Sequence, residues 1–137
     1  GTSDAGDTVP RLPLAAAALL LETARSDSDI DESELRLLRE RLGQRFGLSR
    51  AELDALTDTA LTEVDDAVGF HQFTSVINEH YDYDDRVALV RALWDVALAD
   101  ARIDAFEEHT VRRIADLLHI AHRDFIRTKL DARDAAR

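Results

Sequence analysis

The chain has 137 residues, the usual length of one domain, and 45% hydrophobic residues are enough to build a core. A formal net charge of −11 and a pI near 4.7 disfavour a nucleic-acid backbone or an anionic membrane face, and favour cations or basic protein surfaces as partners. The absence of cysteine excludes disulfides, thiol catalysis, thiolate zinc sites and iron–sulfur clusters.

In chain order, residues 1–12 read as a flexible tail, and 13–134 as one helical domain. Pro10 and Pro13 are the two prolines. The first helix is expected over 13–26, opened by Pro13. Its run "LPLAAAALLL" (12–21) is about half of the roughly 20 residues that a membrane span needs, and it lacks signal-peptide flanks. The second helix covers 32–46, with Gly47 as a left-handed stop and Leu48 beside it. "SRAE" (49–52) is a capping box opening the third, to about 62. The fourth spans 67–81, with Phe70, Phe73, Val76 and Ile77 on one face. Asp82 caps the fifth, 83–99, which carries Val87, Val90, Leu93, Trp94 and Leu98. The sixth is 105–118 and the seventh 122–133. No alternating run bounded by turns suggests a strand. The fold class is all-α, a compact bundle of about seven helices.

A repeat runs through this pattern. Ala24, Asp27, Ile30, Asp31 and Glu34 recur as Ala97, Asp100, Ile103, Asp104 and Glu107, at an offset of 73 residues. Leu14, Ala17, Leu20 and Leu21 match Val87, Val90, Leu93 and Trp94 at the same offset. With one gap, Leu48 and Leu53 match Ile120 and Phe125. Helices 1–3 and 5–7 are therefore expected to form a pseudo-twofold duplication joined by the fourth.

Two readings of the acidic corners stay open. In the first, Asp31 with Glu34 and Asp104 with Glu107 are capping boxes at N-cap and N3. An Ile30–Leu35 staple supports the first corner, whereas Glu108 stands at the matching place in the second. Capping leaves Asp27 and Asp100 unexplained, since each falls where a preceding helix ends and the macrodipole is negative. In the second reading the acids hold a divalent cation, because a hard ion takes several carboxylate or carbonyl oxygens. The candidate ligands are Asp27, Asp29, Asp31, Glu34, Asp100, Asp104 and Glu107, for calcium, magnesium, manganese or zinc. Arg102 and Ala105 replace Asp29 and Glu32, so the second corner is the poorer one. An EF-hand is excluded, because "DSDIDESELRLL" has Glu32 at the glycine position and Leu38 at the closing acid.

The five histidines show no metal-ligand spacing, and no nucleophile–base set or phosphate loop is present, so no catalytic residue is assigned. Surface or cap positions are expected for the histidines.

The stretch 70–130 contains "FTSVINEHY", "LVRALWDVALAD", "ID-x-x-E" and "EEHTVRRIADLLHIAHRDFIR". In these it resembles the tellurite-resistance TerB-like family, over about 14–130 and most strongly in the second half. The family's corner A-D-G-x-[IVL]-x-x-x-E has Ser28 and Ala101 here in place of glycine. The resemblance implies an all-helical bundle with internal duplication. It also implies a non-enzymatic, stress-linked module that binds metal ions through its acids or protein partners, as in the TerB-like domains of DnaJ-type co-chaperones. Unidentified protein partners, no nucleic acid, no membrane insertion and a cytoplasmic place, in reach of the inner membrane face, are the resulting expectations.

Overall fold

A computed structural model describes residues 10–25, 30–99 and 105–136. Seven helices and no strand occur among them: α1 (Arg11–Ala24), α2 (Glu32–Phe46), α3 (Arg50–Asp66), α4 (His71–His80), α5 (Tyr83–Ala97), α6 (Ala105–Leu117) and α7 (His122–Ala136).

The apolar run that is too short for a membrane becomes the axis of the bundle. Ala15 to Leu21 are all buried, and α1 packs against α2, α3, α4, α5 and α6. A helix apolar on every side must be enclosed by others. The four alanines leave room for those neighbours to come close. The second organising helix, α5, buries Leu89, Val90, Leu93, Trp94 and Val96, and packs against α1, α2, α6 and α7. No helix among the described residues is long and apolar enough to cross a membrane.

Several helix ends fall where their local signals put them. Gly47 sits at φ 63, and the Leu48 N–H reaches back to the Gly43 carbonyl at 3.2 Å, a left-handed helix stop. The α6 end repeats this with a different residue: His119 has φ 60, and the Ile120 N–H donates to the Ala115 carbonyl at 3.1 Å. Ser49 and Glu52 close the expected capping box at α3, and Asp82 caps α5 by accepting from the Asp85 N–H at 2.9 Å.

Other boundaries differ from the sequence reading. The first helix starts at Arg11, with Pro10 as N-cap, so Pro13 lies within the first turn rather than opening it. That position still needs no intrahelical N–H donor. The third helix runs on to Asp66, because Leu61 and Val64 continue its inward face. The fourth begins at His71 rather than 67, after a connection containing Gly69. Ile30 is half-buried and packs with Leu35 against the core. Its counterpart Ile103 lies outside the described residues.

Candidate acidic corners at the starts of α2 and α6

Of the acids singled out in the sequence, Asp31, Glu34 and Glu107 are described. Asp27, Asp29, Asp100 and Asp104 lie outside the described residues.

Asp31 is the N-cap of α2, in extended backbone at φ −68 and ψ 142. Its carboxylate accepts from the Ser33 N–H at 3.1 Å and from the Ser33 hydroxyl. The Ser33 hydroxyl first, and then the N–H groups of Ser33, Glu34 and Glu32, hold this exposed carboxyl below the usual carboxylate range. Asp31 therefore caps the start of α2 through Ser33.

Glu34 is the third residue of α2 and Glu107 the third of α6, and each is 3% exposed. Burying a carboxylate to this degree needs hydrogen bonds or positive charge around it. A helix start supplies some of that, since its first N–H groups and the dipole both favour an anion. Glu34 shares its inward face with Leu38 and Leu42, and Glu107 shares its own with Val111 and Ile114. The i, i+4 spacing of those residues was visible in the sequence. It placed both glutamates in the core stripe, a signal that the capping interpretation alone passes over.

Arg25 follows α1. Its guanidinium binds Asp65 at the end of α3, at 2.6 Å. Among the described residues, no group of three or more His, Asp or Glu side chains comes together to hold a metal ion. All five histidines are exposed.

The start of α7 solves the capping problem without a local side chain. Ala121 stands where Ser49 stands before α3, and it has no side-chain acceptor. The Ala121 N–H donates instead to the Tyr83 hydroxyl at 3.1 Å, and that hydroxyl donates to the Asp124 carboxylate.

No curated protein and no solved structure matches the chain. The family model described as tellurite resistance protein TerB matches residues 13–130, which is nearly the whole helical domain. The all-helical architecture agrees with that match, and the chain belongs to the TerB family of tellurite resistance proteins.

Proposed function

We propose that this TerB-family domain is a non-enzymatic module that binds divalent cations at two acidic corners, copies of one unit. The observation that carries the reading is the matched burial of Glu34 and Glu107, one at the first turn of α2 and one at the first turn of α6. Each carboxylate faces inward at the helix end that the acid-rich segments 27–31 and 100–104 lead into. A cation there would relieve repulsion among Asp27, Asp29 and Asp31, or between Asp100 and Asp104. The module acts in the cytoplasm, with partners of its own.

Calorimetric titration with calcium, magnesium, manganese and zinc tests this. Saturable binding that Glu34→Gln weakens, with Glu107→Gln reducing the stoichiometry, supports it. Absence of heat with all four ions refutes it.

A second reading keeps the acids as caps and makes the domain a protein-interaction or co-chaperone-type scaffold. It is favoured by the commitment of Asp31 to Ser33, and by Val68 and Phe106, exposed to 102% and 66% of their full surface. Pull-down from the native host, with and without chelator, separates the two: a partner retained in chelator supports the scaffold.

A further inference from the structure

The other half of α2, away from Asp31 and Glu34, forms one wall of a half-open groove of about 280 Å³. The floor comes from three helices: Ala16 and Leu20 of α1, Leu42 and Phe46 of α2, and Leu89 and Ala92 of α5. The alanines Ala16 on α1 and Ala88 and Ala92 on α5 leave a slot against the longer side chains of α2. Two guanidinium groups stand at its rim, Arg41 and Arg45, in a chain that is otherwise strongly acidic.

The two arginines are held differently. Arg45 is fixed: its Nε donates to the Tyr81 hydroxyl at 3.0 Å, its guanidinium lies 5.0 Å from the Tyr81 ring centre, and Asp85 pairs with it at 3.0 Å. The Asp85 carboxylate at the rim is thus neutralised by its neighbour. Arg41 is looser, 3.5 Å from Asp95 and 3.6 Å from Glu40, where a charge-assisted hydrogen bond would be about 2.8 Å. Asp95 is already engaged by Arg91 at 3.0 Å. The rim therefore has an ordered Arg45–Asp85 pair, one cation with weak partners, Arg41, and an apolar slot beneath both. A small anion with a hydrocarbon tail satisfies the last two. A volume of about 280 Å³ admits roughly ten non-hydrogen atoms at ~30 Å³ each.

We propose that this groove binds a medium-chain aliphatic carboxylate, its tail on the alanine–leucine floor and its carboxylate between Arg41 and Arg45. The site is independent of the acidic corners, and failure of either reading leaves the other standing.

Amide NMR titration of the domain with octanoate, 1-octanol and octylammonium tests the assignment. Octanoate should shift groove residues such as Ala16, Leu20 and Ala92 saturably, and bind about tenfold more tightly than the alcohol or the amine. Arg41→Gln should weaken octanoate about tenfold. Ala92→Leu should fill the slot and abolish binding while the melting curve is kept. If that variant unfolds, Ala88→Leu at the exposed mouth serves the same purpose. Octylammonium binding as tightly as octanoate, or octanoate shifts lying elsewhere or missing, would overturn the proposal. So would a dimer that Ala92→Leu breaks in the absence of any octanoate effect, because the groove would then belong to a second copy.

Discussion

The Tyr83 hydroxyl and the Asp124 carboxylate are joined by a hydrogen bond across 41 residues of sequence. Through it the first residue of α5 caps α7, because the same hydroxyl accepts the Ala121 N–H. The Ser49–Glu52 box does this locally at α3; at α7 the hydroxyl comes from another helix. Tyr83→Phe removes both bonds at once and should cost about 1–2 kcal/mol in denaturant unfolding. Asp124→Asn should cost less, since an amide oxygen can still accept.

The same contact has a pH signature. The hydrogen bond to Asp124 chiefly raises the Tyr83 pKa above its ordinary 10.0, partly opposed by the Ala121 N–H. A raised folded-state value means the stabilisation is complete below pH 10 and is lost as pH rises through the folded value. The alkaline arm of the stability curve should therefore be shallower in Tyr83→Phe. Equal alkaline slopes for the two proteins would contradict this.

Gly47 and His119 test the left-handed stops against each other. Both have φ near 60°, and nothing lies within 4 Å of a Cβ built on Gly47, so the cost of a side chain there is backbone strain. Gly47→Ala should destabilise by about 1 kcal/mol, and His119→Gly should stabilise by about 0.5–1 kcal/mol. Thermal melts of the two variants should move in opposite directions.

These two stops also mark how far the sequence could be read. Gly47 was legible because glycine alone adopts that conformation at little cost. The left-handed turn at His119 was not legible, because histidine adopts that conformation far less readily than glycine. The helices themselves were legible from periodicity, from Ser49 with Glu52, and from Asp82, while the first start was read at Pro13 and lies at Arg11, after Pro10. The α7 cap was not, because its hydroxyl arrives by tertiary packing from Tyr83. At the acidic corners the residue types were visible but the burial of Glu34 and Glu107 was not drawn out. A capping interpretation and a core stripe assign the same position different directions.

Glu22 carries a pH dependence of the same sign in the acid range. Burial pushes its carboxyl above the usual 4.5, with Arg25 partly offsetting the effect. At neutral pH the folded state holds a poorly solvated charge; below pH 4.5 both states are protonated and the penalty disappears. Glu22→Gln should raise the melting temperature at pH 7 and leave it nearly unchanged at pH 4. A gain that persists at pH 4 would assign the effect to packing rather than charge.

Melting at matched ionic strength decides whether the acidic corners hold a divalent cation. With calcium, magnesium, manganese or zinc at about 100 times its Kd, linkage adds about 2.7 kcal/mol, a rise on the order of 10 °C for a domain of this size. Sodium chloride at equal ionic strength should give much less, because screening relieves repulsion without coordination. The divalent increment should shrink in Asp27→Asn/Asp31→Asn, which leaves only the second corner, and vanish when Asp100→Asn/Asp104→Asn is added. If every salt shifts the melt equally, in the parent and in these variants alike, the corners are helix caps on a solvated face and the cation account is wrong.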